Sequence, residues 1–184
     1  RYVTIKNHLR KNKYNPKKLY ETSMFNVVDV GFNSIFLKAN KDLLYLLKKF
    51  NLGHKEIEKY ILKSENKIRK LYDKKTKRFV NYDLKNKKKI TVPSITNYFI
   101  LFADLKNKLI NKEIIQTLKK HNTKEKFFFS SIKPNYTSSE EKRSWRGPVW
   151  INCHWIIYQG LKDKDNKFAQ MVRSKTIDLV KKNG

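Results

Sequence analysis

Apolar side chains recur at the helical spacing in six consecutive stretches, and this period limits the chain to packed helices. Phe36, Ala39, Leu43, Leu47 and Phe50 form the first stripe, with Asn51-Leu52-Gly53 as a stop. Ile57, Ile61, Ile68 and Leu71 form the second, and Ile95, Phe99, Phe102 and Leu105 the third. Ile114, Ile115 and Leu118 make a short fourth. The fifth runs from Trp150 to Leu161 and is ended by Gly160. Phe168, Val172, Leu179 and Val180 mark the sixth. Mostly short links join these stretches, the pattern of antiparallel helical hairpins packed side by side. Half of a twelve-helix toroid fits, and so does a free-standing six-helix domain. The period alone does not choose between them.

Between the second and third stripes the texture changes. Val80, Tyr82 and Leu84 alternate in Phe79–Leu84 as in an extended strand, with lysine-rich turns on either side. A small exposed β-hairpin is expected near residues 78–91. The stretch from Asn122 to Pro148 is long and polar apart from Phe127-Phe128-Phe129. A loop of that length in a compact domain is usually functional or disordered.

The 184 residues suffice for one domain with a sizeable core. The chain opens on Arg1 rather than a methionine and stops at Gly184 just after the helical run from Thr176 to Lys182. We therefore expect residues 1–184 to be an internal fragment of one larger domain. No apolar run approaches the ~18 residues of a membrane span, so no membrane partner is expected. The single Cys153 cannot form an internal disulfide, which favours a reducing, cytoplasmic compartment.

A formal charge of +27 raises the possibility of a basic helical nucleic-acid-binding module. Its lysine pairs, however, are spread over the whole length, at Lys17-Lys18, Lys48-Lys49, Lys74-Lys75, Lys119-Lys120 and Lys181-Lys182. Lysine greatly outnumbers arginine, and Asn and Ile are abundant, as an AT-rich coding sequence would impose on tolerant surface positions. A solvated surface explains these runs better than a phosphate-binding face.

Ser144 to Leu161 is different. It holds a single charged residue, Arg146, in a chain that is 32% charged, together with all three tryptophans and the only cysteine. A tryptophan offers a broad apolar face with one N–H, which suits a sugar ring with an apolar face and a hydroxyl rim. Gly147 permits close approach of backbone or ligand. Pro148 suits the first position of a helix beginning near Val149. Arg146 carries a fixed charge that could hold an acidic substrate group or a structural carboxylate. Trp155, Ile151 and Ile156 read as core residues, Cys153 as a small buried residue and His154 as structural. For Trp145, Gly147 and Trp150, binding and packing are equally served by the spacing. A helical scaffold with an aromatic peptide groove also remains open. A nucleic-acid surface would interleave these aromatics with lysine, so the charge-free cluster favours sugar.

Trp145-Arg146-Gly147-Pro148-Val149-Trp150-Ile151-Asn152, followed by Trp155 and Gly160-Leu161, resembles a signature of the family 63 (α/α)6 glycoside hydrolases, in the branch of mannosylglycerate and glucosylglycerate hydrolases. Phe25 to Asn33, running into Ala39-Asn40-Lys41-Asp42-Leu43, is similar to that family's segment leading into an inner helix. Arg1-Tyr2 and Tyr14 fit the stretch before it. Ser144 stands where members usually have Tyr, and His154 where they usually have Asn.

The resemblance implies an all-α fold, about half of an (α/α)6 toroid of helical hairpins carrying the small β-hairpin. It implies an inverting O-glycoside hydrolase acting on a small α-linked glycoside such as mannosyl- or glucosyl-glycerate, without cofactor or metal. Trp145, Arg146, Gly147 and Trp150 would form part of the sugar-binding wall. The general acid, an aspartate, is implied upstream of Arg1 and the general base, a glutamate, downstream of Gly184, so no catalytic residue is carried over to this chain. Within it, Glu140 and Glu141 read as a solvated loop, Asp29 as a helix cap and Asp42 as an exposed helical residue.

Overall fold

The computed structural model describes residues 2–23, 25–122, 128–132 and 148–183. In chain order the elements are helices α1 (Tyr2–Lys11) and α2 (Pro16–Thr22), strand β1 (Val27–Val28), helices α3 (Val30–Lys49) and α4 (Lys55–Arg69), and strands β2 (Tyr72–Asp73), β3 (Arg78–Phe79), β4 (Asn81–Asp83) and β5 (Lys88–Ile90). A 3-10 helix (Ile95–Leu101) follows, then α5 (Lys108–Asn122), α6 (Ile151–Leu161) and α7 (Asn166–Asn183). Helices dominate, and the strands form a three-stranded antiparallel sheet in the order β1-β4-β5 and a two-stranded one, β2-β3. Among the described residues, no helix is long and apolar enough to cross a membrane.

Three helical pairs lie side by side. The 3-10 helix occupies the middle, with α3 packed on one flank and α6 on the other, while α4 packs on α3, α5 on the 3-10 helix and α7 on α6. The core follows this arrangement. Val30 and Leu37 of α3, Ile61 and Ile68 of α4, the 3-10 helix, Ile114 and Leu118 of α5, Ile157 and Leu161 of α6, and Phe168 and Val172 of α7 all join one buried cluster.

The middle element departs from expectation. The third stripe reads as an α-helix through Leu105, yet the segment is a 3-10 helix ending at Leu101. Ser94 and Asn97 fix its start with a reciprocal capping box. Asp104, at a positive φ of 52°, turns the chain sharply afterwards. Six of its seven residues are buried, so flanking helices cover nearly every side.

The fifth stripe is corrected at both ends. Val149 forms an antiparallel bridge with Ser130, and Pro148 accepts a hydrogen bond from Ser131 N–H at 3.0 Å. This extended pairing delays α6 to Ile151, with Trp150 as its N-cap, so Pro148 is not a first helical residue. Gly160 does not stop the helix. It lies within α6, where a Cβ would stand 2.7 Å from Phe102 N and 2.8 Å from the Leu101 carbonyl carbon. The glycine lets two backbones touch.

The expected hairpin is present as β4 and β5, pairing Asn81 with Ile90 and Asp83 with Lys88. Strand β1 extends it, with Val27 opposite Asp83. Helices α1 and α2 precede the six stripes and are not among the expected helices. Asn15 caps α2 and Pro16 opens it.

Candidate functional site

The starts of α3, the 3-10 helix and α6 come together at one end of the molecule. Asp29 caps α3, its Oδ1 accepting from Phe32 N–H at 2.7 Å. Its Oδ2 accepts from Asn81 Nδ2 at 3.0 Å, and Asn81 Oδ1 in turn accepts from Val30 N–H at 2.8 Å. The hairpin is thereby clasped onto the first turn of α3. Gly31, one residue on, faces the 3-10 helix so closely that a Cβ would lie 2.7 Å from Thr96 Cβ.

A second chain of contacts reaches α6. Ser94 pairs with Ile132, and Ile95 N–H donates to Ser131 O at 3.1 Å. Residues 130–131 then pair with Pro148 and Val149, which lead directly to Trp150. Trp150 has extended backbone angles, is half-buried, and packs against the edge of the core. It stands where the family motif enters the fold. The other proposed wall residues, Trp145, Arg146 and Gly147, lie outside the described residues, as do Glu140 and Glu141.

Burial along α6 separates its side chains. Cys153 is buried, and burial raises its thiol pKa. His154 is fully enclosed, with Nε2 2.7 Å from Phe128 O and Nδ1 2.8 Å from Thr176 Oγ1. Burial pushes its pKa below the ordinary 6.5, favouring the neutral ring. A carbonyl only accepts, so Nε2 carries a proton, while Nδ1 faces the Thr176 hydroxyl, which itself donates to Val172 O at 2.7 Å. This histidine ties α6 to α7 and to residue 128.

Trp155 contradicts the expected core role, being 56% exposed; Ile151 is also exposed and Ile156 only half-buried. The cause is helix rotation. His154 and Gly160 must face their partners, which turns positions 151 and 155 to the opposite side. Trp155 touches the edge of Phe102, with ring centroids 6.0 Å apart.

One buried group at this end escapes the sequence reading. Arg78, on β3, is 5% exposed, and Nη2 donates to Thr91 O at 3.3 Å, but Nε and Nη1 have no hydrogen-bond acceptor among the described residues. It lies beside the Tyr98 phenol, whose pKa burial pushes up to about 12 although the neighbouring guanidinium works against that rise. Carrying the alternation of Val80, Tyr82 and Leu84 back by two residues would have flagged Arg78.

Eight of the described carboxylates are committed to a cap or an ion pair. Asp29 is engaged in capping, Asp42 is exposed and paired with Lys38, and Glu58, Glu65, Asp73, Asp104, Glu113 and Asp165 each face a lysine. Among the described residues, no three His, Cys, Asp or Glu side chains converge as metal ligands. A cleft of about 870 Å³ lies at the opposite end, between residues 104–107, the start of α5 and the α6–α7 turn. It is spanned by Lys164–Asp104 and Lys119–Asp165 ion pairs and shares nothing with the Trp150 end.

Comparison with known proteins agrees with this geometry. The family model for the mannosylglycerate hydrolase MGH1-like glycoside hydrolase domain matches residues 1–184. The chain is 30% identical to a mannosylglycerate hydrolase of Thermus thermophilus over its whole length, spanning 45% of that protein. It is 27% identical to mannosylglycerate hydrolase MGH1 of Selaginella moellendorffii, of which it spans 38%. Among solved structures, a Thermus thermophilus mannosylglycerate hydrolase of glycoside hydrolase family 63, in complex with Tris and D-glycerate, superposes with a TM-score of 0.91 at 29% identity, covering 98% of this chain and 44% of that one. The chain thus spans under half the length of these relatives, and it belongs to the mannosylglycerate hydrolase MGH1-like glycoside hydrolase family.

Proposed function

We propose that the polypeptide carrying this chain is an inverting O-glycoside hydrolase that splits a small α-linked glycoside of glycerate, with mannose or glucose as the sugar. Residues 1–184 form an internal piece of its single catalytic domain, about half of an (α/α)6 ring. The carrying observation is the side-by-side placement of three helical pairs whose first members all begin at the end where Trp150 emerges. The relative solved with D-glycerate supports glycerate as the leaving group. In this reading Trp145 and Trp150 offer apolar faces to the sugar, Gly147 allows close approach, and Arg146 supplies fixed positive charge near the acidic end of the substrate. One carboxylic acid protonates the leaving oxygen while one carboxylate activates water on the opposite face of the ring. In this reading both are supplied from outside residues 1–184, in keeping with the engagement of Asp29 in a cap and of Asp42 and Asp165 in ion pairs. The buried thiol of Cys153 accords with a reducing cytoplasm.

The test is hydrolysis of mannosyl- and glucosyl-glycerate by the full-length protein, with the anomer of the released sugar followed by NMR. Release of the inverted sugar is expected, and Trp150→Ala should lower kcat/KM about 100-fold with the fold retained. The 184-residue chain alone should release nothing. Retained configuration, or activity per folded molecule unchanged by Trp150→Ala, would defeat the corresponding part of the reading.

A further inference from the structure

Residues 128–132 form a short strap between the 3-10 helix and α6. On one side Ser94 bridges Ile132, and Ile95 N–H donates to Ser131 O at 3.1 Å. On the other Ser130 bridges Val149, and Ser131 N–H donates to Pro148 O at 3.0 Å. The strap sits on an apolar seat, where Phe128 and Phe129 are buried against the Phe168 ring of α7. Apolar contact is non-directional, and a strand paired through isolated bridges has a weakly specified register. Phe129 is nevertheless held at a φ of 54°, a region that bulky residues adopt under constraint from their surroundings. The constraint has a visible source. His154 Nε2 donates to Phe128 O at 2.7 Å, and its ring stands edge-on to that of Phe129 with centroids 5.3 Å apart.

We propose that His154 is a positioning residue for the sugar-binding wall, holding Trp150 in place through the strap. The inference rests on the reading of Trp150 as part of that wall. The contacts close a circuit. In the first turn of α6, His154 N–H donates to Trp150 O at 3.2 Å. From the His154 ring the path runs to Phe128 O, along the strap to Ser131, across to Pro148 and Val149, and back to Trp150. Trp150 makes no side-chain cap to α6, so its extended backbone is set by the pairing that precedes it. Thr176 Oγ1, 2.8 Å from Nδ1, fixes the rotation of the ring and aims Nε2 at the strap. Breaking the tie would leave the Phe128 carbonyl, which is enclosed, without this donor. A residue needed merely to fill the space would be apolar, as Ile157 and Leu161 are further along α6.

The experiment uses the full-length protein labelled with fluorotryptophan, the Trp150 fluorine resonance being assigned through Trp150→Phe. His154→Leu should shift that resonance and speed amide exchange at Ser131 and Ile95 about 10-fold. His154→Gln, whose amide nitrogen stands in for Nε2, should restore both. Ile68→Val in α4 loses core packing away from the strap and should change neither. In hydrolysis of mannosyl- and glucosyl-glycerate per folded molecule, His154→Leu should lower kcat/KM about 10-fold, chiefly through KM, with recovery in His154→Gln. An unmoved resonance, unchanged exchange, an unchanged kcat/KM in an active enzyme, or no rescue by His154→Gln would each overturn the proposal. If His154→Leu does not fold, native-state exchange of the parent decides. The Ser131 and Ile95 amides and the His154 ring N–H should then share one opening free energy, and different values would overturn the proposal. A parent that hydrolyses neither glycoside rejects the glycosidase reading, and the resonance and exchange measurements then judge the role of His154 by themselves.

Discussion

The 3-10 helix and the two helices beside it are built from similar residues but reach opposite states. In the middle, Ile95 and Asn97 to Leu101 are enclosed; Gly31 meets the Thr96 side chain and Gly160 the backbone of residues 101–102, with no room for a methyl group at either. At the flanks, α3 and α6 keep Phe36, Leu43, Ile151 and Trp155 in the open. Since exposed apolar area carries a cost of about 25 cal/mol per Å², the centre gains what the flanks forgo by leaving these side chains in the open. Trp150, the described residue of the proposed sugar-binding wall, lies at their common end.

Gly160→Ala attacks the centre and should have the largest effect. Its Cβ would meet the backbone of residues 101–102, which cannot rotate away, so a loss of about 3 kcal/mol is expected. Asn152→Ala, on the exposed side of the same helix, should stay within about 0.5 kcal/mol. Urea unfolding of both variants in the full-length protein tests the contrast, and equal losses would erase it.

Arg78→Met probes a polar group that the centre leaves incompletely bonded. Removing buried donors that lack acceptors should leave stability unchanged or raise it by about 1 kcal/mol. A clear loss on thermal unfolding would mean that the contacts of the guanidinium with Thr91 O and the Tyr98 phenol outweigh its unpaired donors.

The smallest effect concerns pH. The folded-state pKa of His154 lies below its unfolded value of 6.5, so its contribution is complete above that pH. As pH falls, the unfolded chain takes up the proton first, and stability declines through the folded pKa at up to about 1.4 kcal/mol per pH unit. His154→Asn should flatten this segment of the stability–pH curve between pH 7 and 5. An unchanged slope would show that the junction of α6, α7 and residue 128 does not depend on a neutral ring.

The helical stripes made α4, α5, α6 and α7 legible because one side of each is both apolar and buried. For α3 the same rule identified a helix but chose the wrong side: Phe36, Leu43 and Phe50 are exposed while Val30 and Ser34 are buried. Periodicity reports that a face is apolar and says nothing of which partner is present. Trp155 failed for a related reason, since the rotation of α6 is set by His154 and Gly160, residues that hydrophobicity does not weight. The proposed sugar-binding wall was read from a rare-residue motif, of which the structure describes Trp150. The clasp of Asp29 and Asn81 was only half visible, as a cap without its partner, because 52 residues separate the two side chains.

That clasp has a consequence for motion. The amide of Val30, which at an ordinary helix end would fray freely, donates to Asn81 across the sheet formed by β1, β4 and β5. Its hydrogen exchange should therefore follow the opening of the hairpin rather than the unwinding of α3. The far half of α3 closes on α4 through short-range contacts and can form early, whereas the end nearest Trp150 must wait for a long loop to close. The proposed sugar-binding end thus assembles only once that loop has closed, and its opening is tied to that of the hairpin.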